Sequence, residues 1–357
     1  MTSKRYIVCV ASVLYVFMMI NIMFWHGVTK DFFMMDEMAR NGSIKINAPL
    51  TKNIHYSRHH TEFVEYIASG QLESFDVLTL GDSFSNGKDG GNYQDYLVNQ
   101  YGLKVINVRF AQAHCLEGLY MLLNSGLIDE LKPRVVILEC VERYLQNHFG
   151  RAEFIPINMP REKVEESAVN ASAAKMSTIA KISSGLLAPV IVQWNMNVLY
   201  NKLLRLLKPE QLSKTIYVAK LDRKFFTNPG QENDLLYYYE DLHYITDTLD
   251  AEMVNQNLNN AARLLKAKGI KLIFFAAPDK YDLYYPYIID KKGRPENPAF
   301  RKMREVSGKE YVFVDAMTPL RDALSRDEQD IYWLNDTHWS HKGIKIFCDE
   351  LVRYILP

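Results

Sequence analysis

Apolar runs of strand length recur along the chain from about residue 75. They are continuous rather than alternating, as expected for strands that are buried on both faces. The runs are F-D-V-L-T-L (75–80), K-V-I-N-V (104–108), R-V-V-I-L-E-C-V (134–141), I-K-L-I-F-F-A-A (270–277) and Y-V-F-V-D-A (311–316). Helical patterns lie between them, at 93–101, 116–123, 252–268 and 341–356. This alternation of strand and helix predicts an α/β fold with a doubly wound parallel sheet.

The interval 151–247 interrupts this alternation, because no run of the same strand type occurs in it. Its middle part, N-V-L-Y-N-K-L-L-R-L-L (197–207), is apolar and typical of a helix. We therefore predict a mostly helical insertion at 151–247 within one α/β domain that spans residues 71–357. Residues 28–70 are mixed and polar, which indicates a stalk and a first helix at about 62–68.

The N-terminus carries Lys4 and Arg5 before an apolar stretch at 6–25. At about 1.5 Å per helical residue, ~20 residues span the ~30 Å hydrocarbon core of a bilayer. A cleaved signal peptide is the alternative, but its apolar region is usually only about 7–15 residues long and ends at a small-x-small cleavage site. We therefore expect residues 1–27 to be a short cytosolic tail and a transmembrane anchor. The basic residues before the apolar stretch then place residues from about 28 onward outside the cytoplasmic membrane.

The balance of charged residues argues against nucleic acid as a partner. The 357 residues include 42 Lys and Arg against 42 Asp and Glu, with no basic block of the kind that binds nucleic acid. Nucleic acid is therefore not an expected partner. The four cysteines, Cys9, Cys115, Cys140 and Cys348, show no C-x-x-C spacing. This is neither a zinc pattern nor a disulfide framework, so we expect no metal and no cofactor.

The stretch V-L-T-L-G-D-S-F-S-N-G (77–87) follows the first apolar run and precedes a helix. Gly81 ends the strand, and Ser83 falls at the carboxyl edge of the sheet, where open α/β folds bind ligands. That position suits a nucleophile. Serine is nevertheless a weak nucleophile at neutral pH and needs a base, usually a histidine that a carboxylate orients.

The stretch N-D-T-H-W-S-H-K-G (335–343) supplies both groups just before the last helix. Asp336 and His338 are two residues apart in a loop, so both side chains can point to one side. Taken alone, Gly-Asp-Ser is a common turn and Asp-Thr-His can cap a helix. Because a parallel sheet brings its first and last loops to the same edge, the two stretches together predict a Ser83, His338, Asp336 triad.

These two blocks resemble the SGNH (GDSL-like) hydrolase superfamily, which has a flavodoxin-like sheet. The segment D-T-H-W-S-H-K-G is similar, more narrowly, to the DTHW motif of the alginate O-acetyltransferase group. Two further stretches resemble that group: V-I-L-E-C-V-E-R-Y-L (136–145) its Glu-Arg-Tyr segment, and A-P-D-K-Y-D-L-Y-Y-P (277–286) its Pro-x-Lys-x-x-x-Tyr segment. The resemblance covers about residues 75–145 and 250–357. In the alginate enzymes the DTHW block precedes the serine block, whereas Ser83 comes first here.

The superfamily's oxyanion donors are only partly matched. The resemblance implies that the Ser83 N–H is one donor. Gln112 stands where a glycine usually follows strand two, and its backbone N–H serves equally well. Glu142 and Arg143 stand where an asparagine usually follows strand three. Arg143 is therefore a candidate second donor, with a salt bridge to a neighbouring acid as the alternative role.

Three more residues are candidates for substrate binding. Lys280 and Tyr284 follow the fourth predicted strand at the catalytic edge, where they either contact substrate or have a surface role. Trp339 either stacks on a sugar ring or seals the pocket of the histidine.

The resemblance implies transfer of an acetyl group to a hydroxyl of a cell-surface or exported polysaccharide. Acetyl-CoA is absent outside the membrane, so the resemblance also implies a membrane-bound O-acyltransferase partner that supplies acetyl groups. The anchor would hold the domain beside that partner at high effective concentration. Two alternatives stay open: an acetyl esterase with the same triad, and an inactive SGNH-like module that binds polysaccharide. The polymer and the oligomeric state are not defined by the sequence.

Overall fold

The computed structural model describes residues 3–52, 54, 56–71, 73–86, 92–110, 115–151, 159–183, 188–243, 249–291, 293 and 295–356. Eight strands are present in this part of the chain. They are β1 (Thr61–Glu62), β2 (Val77–Leu80), β3 (Val105–Val108), β4 (Val135–Val141), β5 (Ile216–Lys220), β6 (Asp234–Tyr238), β7 (Lys271–Ala277) and β8 (Val312–Phe313). Six of them form a parallel sheet in the order β1-β3-β2-β4-β7-β8. The prediction of an α/β fold with a parallel sheet is confirmed.

Sixteen α-helices accompany these strands in the described residues. They are α1 (Ser3–Phe24), α2 (Lys30–Phe33), α3 (Glu37–Gly42), α4 (Phe63–Ser69), α5 (Tyr93–Tyr101), α6 (Cys115–Asn124), α7 (Leu127–Leu131), α8 (Leu145–Phe149), α9 (Arg161–Ser183), α10 (Ala188–Leu207), α11 (Tyr239–His243), α12 (Ala251–Lys266), α13 (Lys280–Tyr284), α14 (Ala299–Glu305), α15 (Met317–Ser325) and α16 (His341–Ile355). A π-helical turn, Trp25–Thr29, joins α1 to α2, and 3₁₀ turns follow β4 and α13.

The five predicted strands correspond to β2, β3, β4, β7 and β8. Every residue of β2 and β4 is buried, and only Lys271 of β7 is exposed, as the continuous apolar runs predict. The chain passes from β2 outward to β3 and then back across to β4. The order therefore reverses beside β2, which is where open α/β sheets form a ligand crevice at the carboxyl ends of the strands.

The insertion differs from its prediction in one respect. It contains the helices α9 and α10, as expected, but β5 and β6 also form a two-stranded antiparallel sheet within it. Two residues of β5 are half-buried and one is exposed, so this strand lacks the continuous apolar run of a strand that is covered on both faces. The periodicity that identified the parallel strands could not reveal it.

The segment at 28–52 is packed against the domain rather than forming a free stalk. Met38 is fully buried, and its N–H donates to Asn335 O (3.1 Å) in the loop of the DTHW motif. Further along, Thr51 Oγ1 donates to Asp330 Oδ2 (2.5 Å). These contacts join residues almost 300 positions apart, so no local pattern could have predicted them. The first helix expected at 62–68 is α4, which begins with a capping box formed by Glu62 and Glu65.

The apolar N-terminal segment is helical from end to end. The described residues contain one helix that is long and apolar enough to cross a membrane, Lys4–Phe33. Its large apolar side chains project away from the rest of the chain; Tyr6 and Ile20, for example, are 63% and 60% exposed. An exposed apolar surface of this length is consistent with a membrane-spanning helix.

Candidate active site

The turn after β2 is held by one buried carboxyl group from the neighbouring strand β4. Glu139 Oε2 accepts from Asp82 N (3.0 Å), Ser85 N (3.1 Å) and Ser85 Oγ (2.7 Å). A Cβ at Gly81 would clash with Glu139 Oε2 and with Ser85 Oγ. Glycine is therefore required at 81 because two side chains approach its backbone closely.

Asp82 ties the same turn to the end of β4. Its Oδ1 accepts from Phe84 N (3.2 Å), and its Oδ2 accepts from Val141 N (2.7 Å). The turn is thus fixed at both ends before any substrate binds, so that Ser83 at its tip is presented in one conformation.

Ser83 is exposed, and its backbone N–H differs from those of its neighbours in the turn. The neighbouring N–H groups at 82, 84, 85 and 86 each donate to an acceptor in the turn or to Glu139. Within the described residues, the Ser83 N–H donates to no acceptor. A fixed and unoccupied N–H beside a serine hydroxyl is what an oxyanion donor requires.

Asp336 and His338 form the pair that their spacing predicts. Asp336 Oδ1 lies 2.6 Å from His338 Nδ1 and also accepts from the His338 N–H (3.0 Å). The other ring nitrogen, Nε2, is buried and has no hydrogen-bond partner in the described part of the chain. The carboxylate therefore orients the ring, and Nε2 is free to accept a proton.

The two partners of this pair shift each other's pKa. Burial alone would lower the pKa of His338, but the hydrogen bond and negative charge of Asp336 outweigh that effect and raise it above the usual 6.5. Burial alone would raise the pKa of Asp336, but the bond to His338 lowers it. Each partner thus stabilises the other's charged form.

Ser83 and His338 line one cavity of about 1110 Å³, which identifies it as the candidate active site. The phenyl ring of Phe84, next to Ser83, packs on the imidazole of His338 with ring centroids 4.8 Å apart. No hydrogen bond joins Ser83 Oγ to His338 Nε2 among the described atoms. Such bonds are often long in unliganded enzymes and form with substrate.

One wall of this cavity comes from the segment that follows the apolar N-terminal helix. Nine residues of the segment line the cavity: Met34, Met35, Asp36, Glu37, Arg40, Pro49, Thr51, Lys52 and Ile54. Glu37, Asp336 and His338 have side-chain donor atoms within 4.8 Å of one another. The charge of Glu37 also raises the pKa of His338. Sequence reasoning missed this wall, because nothing in residues 34–54 marks them as part of a site.

Ser83 also lines a smaller cavity of about 330 Å³. Arg109, the first residue after β3, is exposed and lines both cavities. It is a cation beside the nucleophile that sequence reasoning passed over, although its position directly after a buried strand was visible. Gln112, the predicted oxyanion donor, lies outside the described residues.

Arg143 does not have the role of an oxyanion donor in this structure. Its Nη1 forms ion pairs with Asp241 (3.1 Å) and with Asp279, both of which are buried. It is also absent from the described lining of both Ser83 cavities. The prediction is corrected in favour of the salt bridge, because two buried carboxylates bind the guanidinium more strongly than an open cavity would.

Lys280 is not a substrate-binding residue either, because it is 1% exposed. Its Nζ donates to the backbone oxygens of Trp333 (2.6 Å), Leu334 (2.9 Å) and Asp336 (3.2 Å). Burial lowers the pKa of Lys280 to about 7, against the opposing attraction of Asp336 and Asp241. The ammonium group has three donors and three carbonyl acceptors, so it fixes the loop that carries the Asp336–His338 pair.

Replacing Lys280 by methionine should therefore loosen that loop. We expect the free energy of unfolding to fall by about 1–3 kcal/mol, because three buried carbonyls lose their donor. We also expect kcat for ester turnover to fall more than KM rises, since the displaced group is His338 rather than a substrate contact. Thermal denaturation and steady-state kinetics test this. Lys291→Met is the matched control, because Lys291 is exposed, lies over the Tyr285 ring and, among the described residues, donates to one carbonyl, Pro286 O. A Lys280 variant with normal kcat would contradict the positioning role.

Tyr284 and Trp339 are also buried. Tyr284 is fully buried, and its ring contacts Phe225, Phe226 and Tyr332, so the prediction of a substrate contact is wrong. Its position directly after a strand does not indicate whether the side chain points towards the cavity or into the core. Trp339 is 4% exposed, and its Nε1 donates to Tyr332 Oη (2.6 Å).

Trp339 borders the large cavity while its ring packs on Phe84 with centroids 5.1 Å apart. Of its two proposed roles, sealing the histidine's pocket fits this burial and stacking on a sugar does not.

Three sets of side chains bring possible metal ligands within 4.8 Å of one another in the described residues. They are Asp82, Cys140 and His148; Glu37, Asp336 and His338; and Glu142, Asp279 and Asp282. The second set is the acid–base pair with its neighbouring carboxylate, and the third adjoins Arg143 through Asp279. Acidic groups often lie this close together without an ion, so we assign no metal to any of the three.

Comparison with known proteins adds one finding. Residues 230–355 match a family described as "ALGX: SGNH hydrolase-like domain, acetyltransferase AlgX". No curated protein matches the chain. The match includes Asp336 and His338 and lies beyond Ser83 in the sequence. It supports the resemblance read from the DTHW motif: over residues 230–355 the chain is similar to an SGNH hydrolase-like domain of the AlgX acetyltransferase type.

Proposed function

We propose that this chain is a membrane-anchored O-acetyltransferase that acts outside the cytoplasm on a hydroxyl of a cell-surface or exported polysaccharide. The observation that supports it most directly is the shared cavity, in which Ser83, with its free N–H, faces the same space as the Asp336–His338 pair. The family match supports acetyl as the transferred group. The exposed apolar helix Lys4–Phe33 supports the anchor.

The first half of the proposed reaction is acylation of Ser83. Its Oγ attacks the carbonyl carbon of an acetyl ester while His338 Nε2 takes the hydroxyl proton, and the Ser83 N–H donates to the oxyanion. Asp336 stabilises the imidazolium that forms. The tetrahedral intermediate collapses, the donor alcohol leaves with the proton from His338, and acetyl-Ser83 results.

The second half transfers the acetyl group. A sugar hydroxyl gives its proton to His338 Nε2 and attacks the acetyl carbonyl carbon. The new tetrahedral intermediate breaks its bond to Ser83 Oγ, which regains the proton. The products are an O-acetylated sugar and free enzyme. A cavity of about 1110 Å³ is large enough for a carbohydrate acceptor. A membrane-bound O-acyltransferase would supply the acetyl donor.

The pH dependence of ester turnover should report His338. Nε2 accepts a proton only when the ring is neutral, so activity is lost as the pH falls through the pKa of His338. Because Asp336 and Glu37 raise that pKa, we expect the acidic limb of kcat/KM to have its midpoint above the usual 6.5. Glu37→Gln should move the midpoint towards lower pH. A midpoint below 6.5 in the unmodified chain would contradict the assignment of His338 as base.

Transfer and hydrolysis are separated by the acceptor. We would incubate the full chain in detergent with 4-nitrophenyl acetate, with and without a panel of neutral and uronic-acid oligosaccharides. Nitrophenol release together with acetylated sugar, detected by mass spectrometry, supports the transferase. Release of acetate alone across the panel would instead establish an esterase. A chain that neither releases nitrophenol nor reacts with a serine-directed fluorophosphonate would be a binding module.

A further inference from the structure

Helix α10 (Ala188–Leu207) carries an apolar face that is largely uncovered in the described structure, although Lys214 Nζ lies over the Tyr200 ring, 5.3 Å from its centroid. Six large apolar side chains on it are exposed: Met196, Leu199, Tyr200, Leu203, Leu206 and Leu207. The last three are 63%, 80% and 82% exposed. Their spacing of three and four residues places all six within roughly 120° of the helix circumference. An uncovered apolar stripe of this size marks a surface that binds something.

A buried face of α10 that borders this apolar stripe is joined to the proposed anchor by polar contacts. Asn195 Nδ2 donates to Asn21 O (2.8 Å), and Thr29 Oγ1 donates to Asn195 Oδ1 (2.6 Å). The contacts flank the π-helical turn Trp25–Thr29, where the regular pattern of helix hydrogen bonds is interrupted. Asn195 satisfies a backbone carbonyl of the anchor at that point. The apolar face of α10 is therefore held beside the apolar surface of the anchor.

Three aromatic rings mark the level at which α10 meets the anchor. Phe33 packs between Trp25 and Trp194, with ring centroids 5.3 Å and 5.2 Å apart. Tryptophan is enriched at the level of lipid headgroups, where an apolar ring and a polar N–H are both satisfied. Trp194 belongs to α10 and Trp25 to the anchor, so both helices meet at this one aromatic layer.

The charge of this region suits an anionic membrane surface. Residues 167–209 contain no Asp or Glu but five basic residues, Lys175, Lys181, Lys202, Arg205 and Lys208. The chain as a whole has equal numbers of acidic and basic residues. Lys202 and Lys208 are exposed beside the apolar face. Basic residues that flank an apolar stripe are typical of a helix that lies in the membrane interface, where they are attracted to anionic lipid.

We propose that α10 is an interfacial helix whose apolar face, Met196 to Leu207, is embedded in the bilayer beside the anchor. This inference rests on the membrane-anchored function proposed above and adds a second membrane contact to it. With two contacts, the anchor and α10, the domain is held in one orientation on the membrane. The cavity wall at 34–54 directly follows the anchor, so this orientation keeps the candidate active site next to the lipid surface.

Spin-label accessibility on the full chain tests the proposal. In a Cys9→Ser background the three other cysteines are buried. Labels would be placed at Leu203→Cys, at Tyr15→Cys in the anchor, and at Arg353→Cys. The last position is a matched aqueous control, because Lys271 Nζ donates to Tyr354 O and so places the end of α16 at the amino edge of the sheet, away from the active site. Vesicles would contain phosphatidylcholine and phosphatidylglycerol.

We expect the label at 203 to be relaxed more by oxygen than by a water-soluble nickel chelate, as at 15, and the reverse at 353. A label at 203 that is relaxed more by the nickel chelate than by oxygen, as at 353, overturns the proposal. The apolar face of α10 would then be exposed to water and would be a binding surface for another protein. Shielding from both reagents with spin–spin broadening also overturns it, in favour of a second copy of the chain. A water-exposed label at 15 would refute the anchor itself, and α10 with it. None of these readouts depends on acetyl transfer, so a failed activity test would not be confused with a failed membrane contact.

Discussion

Replacing Ser83 by alanine should reduce ester turnover by roughly 10⁴-fold or more, the loss expected when the nucleophile of a serine triad is removed. The structure gives a reason to expect little change in folding. Ser83 is exposed, and Glu139 and Asp82 hold the turn through residues other than Ser83. The Ser83 N–H also stays in place. The loss should therefore fall on kcat and not on the free energy of unfolding.

Two measurements check this prediction. Nitrophenol release from 4-nitrophenyl acetate gives kcat, and a fluorophosphonate probe reports whether one serine is activated. Ser325→Ala, at the end of α15, serves as the matched control, because in the described part of the chain its hydroxyl donates to the nearby Asp322 O alone. Labelling that persists in the Ser83 variant would mean that another serine is the nucleophile, and the proposed mechanism would fall.

Replacing Asp336 by asparagine should lower kcat by about 10²–10⁴-fold while the loop keeps its shape. Oδ1 accepts from both the His338 N–H and Nδ1, and an amide oxygen can accept the same two bonds. Lys280 contacts the backbone oxygen of Asp336, which the substitution leaves unchanged. What the variant loses is the negative charge that stabilises the imidazolium during proton transfer.

The same variant has a signature that a merely unstable enzyme would lack. The carboxylate raises the pKa of His338, so its removal should move the acidic limb of the pH–rate profile to lower pH. Asp349→Asn is the matched control, since that carboxylate serves Lys345 and Tyr101 on α16 and α5. A lower kcat with an unshifted pH profile would show that Asp336 acts through structure and not through charge.

The sequence predicted the sheet and the placement of three polar residues because both depend on local patterns. Continuous apolar runs identify strands that are covered on both faces, and the loops after such strands meet at one edge. Ser83 and the Asp336–His338 pair were located in this way. β1 was not predicted, because two residues are too short to show a period.

The position of a residue in the sequence does not show whether its side chain points into the cavity or into the protein core. Lys280, Tyr284 and Arg143 all follow strands at the catalytic edge, yet all three point into the protein. Lys280 is directed inward by three backbone carbonyls of a loop more than 50 residues away. Glu37 is the reverse case. It lies in a polar stretch that is typical of an exposed surface, yet its side chain lines the large cavity. In each case the partner that fixes the side chain is distant in sequence.

The wall formed by residues 34–54 limits where the chemistry can take place. Three residues lie between Phe33, the last residue of the apolar helix, and Glu37, so the four steps of chain that join them span at most about 14 Å. A flexible linker of many residues would let a catalytic domain reach substrates far from the membrane surface. This short connection instead keeps the cavity wall close to the end of the apolar helix. Under the function proposed above, a polysaccharide that leaves the membrane would be modified within its first few sugars, and polymer already released would be out of reach.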